Sequence, residues 1–421
     1  MVAEPTTTFS GNVLAASARK PIMAILVDHP VQHFCPLYRE LALQNAIETT
    51  VIFAELAGAT TYFDKDFGKT ISWGGGLLES FPYVNLELPR AARFREVWRR
   101  VVSALQELQP DVVLVYGYSE LVSRAGILWA RLNRKRLVMT GDSELLRQRS
   151  LLTRAAKKVI LPPLLRRCDV FFTVGDANEQ YYAEYGVPPS KFVRACFPID
   201  SPIYDRAMQD RQNIRKLVRS RLQVSDSAIL ILAVGKLISR KGFDDLILAF
   251  ARALEKSASR DRYLLIAGDG PQRERLESLA AGIGANVRFL GFVPCGDLPE
   301  FYVASDLYVH PSHADPHPLA ISEATYCGLP VIASDRVGSI GPTDDVVLGE
   351  NGWSYPCGDI RALAGLLGEV TENPQTLRLA GQASFVAGAK HRPATVASTV
   401  AECVHNLVSE SKYPSLAWNT R

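Results

Sequence analysis

The chain has 421 residues, 47% of them hydrophobic and 22% charged, with a formal net charge of +3. That length exceeds one ordinary core, so two domains are expected, and so small a charge excludes the electrostatic footprint of a nucleic-acid binder. Seven scattered cysteines with no CxxC pair exclude a zinc site and a disulfide framework and fit reduced thiols in the cytoplasm, and no apolar run reaches the roughly 18 residues that span a bilayer.

Residues 1–19 are polar and rich in Thr, Ser and Ala, and are expected to form a disordered tail without the apolar stretch of a secretion signal. From residue 20 onward, short apolar runs alternate with segments of helical period, the pattern of parallel α/β sheets. Strands are expected at Ile22–Val27, Thr49–Ala54, Asp111–Tyr116, Arg136–Met139 and Val170–Val174, with helices at Leu37–Gln44, Phe94–Glu107 and Glu120–Leu132. A Gly74-Gly-Gly76 stretch after Trp73 reads as a loop, because neither a lysine nor a helix cap follows it.

The segment Arg147–Arg167 interleaves Arg147, Arg149, Arg154, Lys157, Lys158, Arg166 and Arg167 with leucines, Val159 and Ile160. Such a stretch either packs its leucines inward or lies on an anionic membrane surface. Phe197-Pro-Ile-Asp-Ser-Pro202 then breaks the first pattern, and residues 201–226 are expected as a linker between domains at 20–200 and 227–390. Strands follow at Ile229–Val234, Tyr263–Ala267, Val287–Leu290, Leu307–His310 and Val331–Ala333. The helices between them are Phe243–Glu255, Gln272–Ala281, Leu298–Ala304 and Ile321–Tyr326. Within 391–421, the amphipathic stretch Thr395–Ser409 needs an apolar surface and is expected to cross back onto the first domain.

Residues with chemistry gather where such sheets present ligands, at the carboxyl ends of strands. Lys236 and Lys241 follow the strand at Ile229–Val234, bracketed by Gly235 and Gly242, where two ammonium groups could neutralise a diphosphate. Gly268-Asp-Gly270 makes the next strand-to-helix turn. Asp315 lies ahead of a helix N-terminus and Glu323 about one turn inside it. The N–H groups of Leu319, Ala320 and Ile321 lie between them, where an anion is favoured. An unpaired Glu323 inside that apolar helix would be costly, and two hydroxyl hydrogens, as from a ribose, would offset the cost. In the first half, His29 and His33 follow the first strand and Gly141-Asp142-Ser143 ends the fourth.

These blocks together resemble the retaining nucleotide-sugar glycosyltransferases of the two-Rossmann-domain (GT-B) type, family 4. The resemblance rests on Val234-Gly-Lys-Leu-Ile-Ser-Arg-Lys-Gly242, Ile266-Ala-Gly-Asp-Gly-Pro271, Asp315 with Glu323-Ala324 and Gly328-Leu-Pro-Val-Ile332, and Gly349-Glu-Asn-Gly352. In the first half His29-Pro-Val-Gln-His33 with Pro36-Leu-Tyr-Arg39, Asp66-Phe-Gly68 before Trp73, and Gly141-Asp-Ser143 resemble a polysaccharide-biosynthesis subgroup. The resemblance implies an α/β architecture of two doubly wound parallel-sheet domains facing across a cleft. It implies transfer of a hexose from a UDP- or GDP-sugar to a hydroxyl acceptor, a glycan or glycolipid intermediate, with retention and with neither metal nor cofactor.

By the resemblance Gly235, Gly268, Gly270, Leu319, Ala320, Ile321 and Glu323 bind the donor, and Lys236, Lys241, Asp315 and Asp142 serve the transfer. His29, His33 and Ser143 line the acceptor side. The sequence departs from the family at Lys236, usually Arg, at Asp315, usually Glu, and at His317-Pro318, usually an aromatic then Gly. Tyr116 stands where many relatives carry His. The departures leave a non-catalytic relative serving a polysaccharide assembly complex as the alternative. A phosphorylase or epimerase of similar architecture ranks lower, because no cofactor lysine or phosphate cluster is evident. The expected location is the cytoplasm, with peripheral contact at the inner membrane face.

Overall fold

The computed structural model describes residues 19–409 apart from 58, 60–61, 65–68, 72–75, 90, 148–149, 257–260 and 285. The tail 1–18, the Asp66-Phe-Gly68 block, Trp73, Gly74 and Arg149 therefore lie outside the described residues.

In the first half, β1 (Ile22–Val27) leads through α1 (Cys35–Gln44) to β2 (Glu48–Phe53). A short antiparallel hairpin, β3 (Tyr62–Asp64) with β4 (Lys69–Ile71), stands apart from the main sheet. Then come β5 (Tyr83–Asn85), α2 (Phe94–Leu108), β6 (Val112–Tyr116), α3 (Leu121–Leu132), β7 (Arg136–Thr140), α4 (Leu151–Leu165), β8 (Val170–Thr173), α5 (Asp176–Glu184) and β9 (Phe192–Arg194). The parallel sheet runs β5-β2-β1-β6-β7-β8-β9. Its central strands, Ile-Met-Ala-Ile-Leu-Val and Val-Val-Leu-Val-Tyr, are near-continuous apolar runs because helices cover both faces. In α2, Val97, Val101 and Leu105 recur every fourth residue and are the buried ones, which places one stripe on the sheet.

Residues 201–226, expected as a linker, are folded into the second half. They fold as α6 (Ser201–Gln209) and α7 (Arg211–Arg221), whose Tyr204, Ala207 and Val218 join the second core. The charged pattern concealed this because Arg219 is fully buried: it pairs with Asp306 at 2.7 Å and donates to the Ser225 and Ala228 carbonyls. Beyond them lie β10 (Ile229–Val234), α8 (Phe243–Lys256), β11 (Arg262–Ala267), α9 (Arg273–Gly282), β12 (Val287–Gly291), α10 (Leu298–Ala304), β13 (Leu307–His310), α11 (Leu319–Tyr326), β14 (Val331–Ser334), β15 (Gly352–Tyr355), α12 (Ile360–Glu372), α13 (Pro374–Gly388) and α14 (Pro393–Ser409). The second parallel sheet runs β12-β11-β10-β13-β14-β15. The ten main strands agree with the sequence expectation within one residue at either end. β5, β9 and β15 went unforeseen because each is a three- or four-residue edge strand with too few apolar residues to make a run.

The chain passes between the halves twice, at 197–201 and 389–393, and the two passages are bonded: Ile199 N–H donates to the His391 carbonyl, and the His391 ring contacts the Phe197 carbonyl at 2.8 Å. After the second passage α14 lays Val396, Val400, Val404 and Leu407 into the first core, against α1. A third tie joins the loop 341–345 to the start of α5. Asp344 accepts the Asp176 N–H at 2.7 Å, so a carboxylate of one half caps a helix of the other. Asp176 in turn accepts from the Thr343 N–H at 2.9 Å and pairs with Arg194. A Cβ on Gly175 would lie 2.4 Å from the Asp344 carboxylate, so only glycine admits this approach.

The seam between α1 and α14 makes a simple test. Leu41 is buried in it, whereas Leu43, on the same helix, is 77% exposed. Leu41→Ala should cost about 2–5 kcal/mol in urea unfolding. Leu43→Ala should stay within about 0.5 kcal/mol.

Candidate functional site

In both sheets the strand order reverses at one crevice, between β1 and β6 in the first and between β10 and β13 in the second. Ligands of open α/β sheets bind outside the carboxyl ends at such a point. A cavity of about 360 Å³ opens there in the second sheet, walled by Gly235 and Lys236 after β10, Gly268 after β11, His310 at the end of β13, and Leu319 with Ala320 at the start of α11. A larger groove of about 770 Å³ lies at the opposite, amino end of the same sheet, beside Ile229, Pro330 and α13. None of the residues expected to carry chemistry line it.

At the cavity wall the β10 and β11 turns are pressed together. A Cβ on Gly268 would sit 1.8 Å from the Gly235 carbonyl oxygen, so the glycine is required by contact between the two main chains. Gly270 faces the Leu237 main chain and does not line the cavity. Lys236, Arg240 and Lys241 all reach the cavity wall. Arg240 was not anticipated, since it lies between the two lysines in a stretch that reads as solvated surface.

Asp315 does not itself line the cavity, but its carboxylate is bonded to two residues that do. Lys241 forms an ion pair with Oδ2, and His310 Nε2 lies 2.9 Å from the same oxygen. The lysine expected to face phosphate and the acid expected to face the sugar are therefore one unit, completed by a histidine that the sequence reading treated only as the end of a strand. Burial pushes the Asp315 carboxyl up, but His310 and Lys241 overcome this and hold it well below the usual carboxylate range. Burial pushes His310 down, with Asp315 opposing.

The start of α11 offers fewer donors than expected. Pro318 caps the helix without an N–H, and the Ile321 N–H already donates to the Pro318 carbonyl at 2.9 Å. Ile321 is fully buried, so Leu319 and Ala320 are the members of that trio at the cavity. Glu323 sits one turn deeper, near Cys295, and is not unpaired. Tyr302 donates to its Oε2 at 2.7 Å, and the Tyr204 hydroxyl also bonds the carboxylate. Two tyrosines from α6 and α10 thus meet the desolvation cost that had pointed to a ribose. Burial still leaves the Glu323 pKa raised.

From the first half, Asp142 approaches the field of Asp315 and His317, and burial raises its pKa. Ser143 turns its carbonyl to Asn178 at 2.8 Å. His33 packs edge-on against Phe34 and tilted against Phe197 near His317, while Cys295 bonds Gln32, so the carboxyl ends of both sheets meet at one cleft. His29 separates from His33: it is exposed, 3.2 Å from Asp28, and feels Glu55 and Glu120. Tyr116 is bonded to Tyr38 at 3.1 Å and packed on Phe34. Burial raises its pKa, so it stands there as a neutral phenol.

Beneath the cleft lies a buried polar cluster. Asp345 accepts from Ser322 at 2.7 Å, contacts His391 Nε2 at 2.7 Å and pairs with Lys390 at 3.0 Å. Burial would raise the Asp345 carboxyl, but His391 and Lys390 hold it well below the usual range. Burial and Asp345 push Asp344 up to about 7. His317 Nδ1 meets Ser339 at 3.1 Å, while Nε2 is buried without a hydrogen-bond partner among the described residues, 3.8 Å from Asp345. His317, Asp344 and Asp345 could offer three ligand atoms within 4.8 Å of one another. The Lys390 ammonium already sits against Asp345 and supplies the positive charge there.

Residues 215–385 match the family model for glycosyl transferases group 1. An uncharacterized glycosyltransferase of Methanocaldococcus jannaschii is 37% identical over 193 residues, covering 45% of this chain and 47% of that protein. The GDP-mannose-dependent monoacylated alpha-(1-6)-phosphatidylinositol monomannoside mannosyltransferase of Corynebacterium glutamicum is 31% identical over 167 residues, covering 38% and 42%. The chain thus spans about half the length, or less, of these curated relatives. The crystal structure of Anabaena HepE in complex with UDP and glucose superposes with a TM-score of 0.65 at 18% identity, over 91% of this chain and 99% of that one. The two parallel-sheet halves and such neighbours establish an α/β GT-B fold.

The buried histidines set a pH dependence. Burial lowers His33 to about 4, and lowers His317 to about 4 against the opposing charge of Asp345. Unfolded histidines protonate near pH ~6.5. Between those values the unfolded chain binds more protons, so stability present above ~6.5 is lost as pH falls towards 4. Asp344, raised to about 7, opposes this, as do Asp142 and Glu323, both raised by burial, while His310, lowered by burial, adds to it. His317→Phe should remove about 1–3 kcal/mol of the acid loss between pH 7 and 4.5 in urea titrations. An unchanged slope would refute the assignment.

Proposed function

We propose that the chain is a glycosyltransferase that moves a hexose from a UDP- or GDP-sugar to a hydroxyl acceptor, a glycan or glycolipid intermediate, with retention at the anomeric carbon. One observation carries the reading: three cationic side chains and a helix N-terminus converge on a cavity at the switch point of the second sheet. A diphosphate leaving group gains charge as the glycosidic bond breaks, and cations fixed beforehand stabilise it more in the transition state than in the ground state. Lys236 and Lys241 take that role, with Arg240 as a third cation and the Leu319 and Ala320 N–H groups completing the anion site. The reading needs no metal, since the cations do that work.

Asp315 would hold the donor sugar while its ion pair keeps Lys241 aimed at the phosphates. Glu323 would serve the ribose, its rotamer set by Tyr302 and Tyr204. Asp142, Ser143, His33 and His29, all after strands of the first half, would form the acceptor side. The names of the similar proteins support the reading: one relative is GDP-mannose-dependent and one structural neighbour binds UDP and glucose.

A donor screen by thermal shift tests this directly. A nucleotide sugar or nucleoside diphosphate at about 100 times its Kd should stabilise the fold by ~2.7 kcal/mol. Glu323→Ala should abolish most of that stabilisation, and Lys236→Ala should weaken diphosphate binding while sparing the bare nucleoside. Asp315→Asn should keep the diphosphate response yet lower transfer by about 10²–10³. A thermal response without transfer or hydrolysis across donors and acceptors would favour the non-catalytic reading, and no response to any nucleotide would reject both.

A further inference from the structure

The helix α4 presents an apolar face that none of the described residues covers. Leu151, Leu152, Val159 and Ile160 are 80%, 84%, 75% and 64% exposed. With Ala155 and Ala156, also exposed, they form two adjacent rows spaced four residues apart, 151/155/159 and 152/156/160, on one side of the helix. Leu161 and Leu165, at the other end, are buried in the first core and anchor the helix. The inward packing that would account for these leucines therefore holds only for the last turns.

The helix itself carries charge of one sign only. No Asp or Glu lies between Glu144 and Asp169. Lys157 is turned inward, its ammonium 3.1 Å from the Tyr181 hydroxyl, and Lys158 pairs with Glu184 at 2.9 Å. Arg147, Arg154, Arg166 and Arg167 are exposed along the helix and at both of its ends.

We propose that α4 is a docking surface for an anionic lipid bilayer, lying in the headgroup plane with its Leu/Val/Ile rows in the acyl boundary and its arginines on lipid phosphates. Charge complementarity selects this occupant. A second copy meeting the same face across a two-fold axis would set one cationic patch against another. The position suits a lipid-linked acceptor. The loop that leads into α4 starts directly after Asp142 and Ser143, and its Leu146 carbonyl accepts from Arg336 of the second half at 3.1 Å, so the patch begins at the mouth of the cleft. Docking itself does not rest on the transfer reading, because it is measured without any nucleotide.

The test is co-sedimentation of the full chain with vesicles of phosphatidylcholine containing about one third phosphatidylglycerol, against phosphatidylcholine alone. Binding to the anionic vesicles should exceed the neutral control by ~10-fold or more and fall steeply in ~0.5 M salt. The combined variant Leu151→Ser, Leu152→Ser, Val159→Ser and Ile160→Ser should lose ~10-fold in binding with an unchanged unfolding midpoint, because these side chains support no core. Arg154→Gln with Arg166→Gln and Arg167→Gln should bring binding down to the neutral-vesicle level. The single variant Val159→Trp gives a second readout, a blue shift of its emission when anionic vesicles are added. Absence of binding to anionic vesicles, serine variants that bind like the native chain, or no emission shift would each overturn the proposal. Self-association that the serine substitutions abolish, without vesicle binding, would assign the face to a second copy instead.

Discussion

The Asp345 carboxylate is fully buried and is the point on which the rest of the arrangement depends. Stripping water from a charge costs several kcal/mol unless partners replace it. Here they are Ser322 from α11, the helix whose start lines the cavity, and Lys390 with His391 from the second passage between the halves. One carboxylate therefore couples the helix at the cavity to the second passage between the halves. Asp344, next in the chain, caps α5 in the other half. The position of the halves and the geometry of the site are solved by the same loop.

A consequence follows for the cleft. His33, Phe197 and His317 pack ring to ring across the junction above this loop. They stay neutral because burial penalises their charge. The family's usual aromatic at position 317 would fill such a space; histidine adds a buried nitrogen facing Asp345. The departure at Asp315 has a similar local logic. The shorter acid is met by Lys241 and His310 together, so a carboxylate with one methylene fewer is still held in place, by partners rather than by length.

Much of the fold was legible because its strands are buried on both faces. A run such as Ile-Leu-Ile-Leu-Ala-Val has no other stable use in a chain of this kind, and the intervening periodic segments leave helical crossovers as the connection. The cavity was legible for a related reason: ligands of these sheets lie at strand carboxyl ends, so Lys236, Gly268 and the start of α11 could be located without coordinates. Edge strands and the helices α6 and α7 were not, because their stability comes from partners distant in sequence. Arg219 reads as a solvent-facing arginine until Asp306 is brought to it.

The sequence by itself determined two parallel α/β halves, the switch-point cavity and the identity of its cations, because these follow from local periodicity and from strand-end chemistry. Only the tertiary structure decided how those groups are paired. Lys241 with Asp315 and His310, Glu323 with Tyr302 and Tyr204, and Asp345 with Lys390 and His391 join residues from separate elements, some of them tens of residues apart in sequence. It also decided which apolar residues stay outside: Leu151 and Leu161 are alike in sequence, but one faces solvent and the other the core. The physical reason is common to all of these. Periodicity reports which residues want burial, while desolvation is relieved by whichever partner the packed chain delivers.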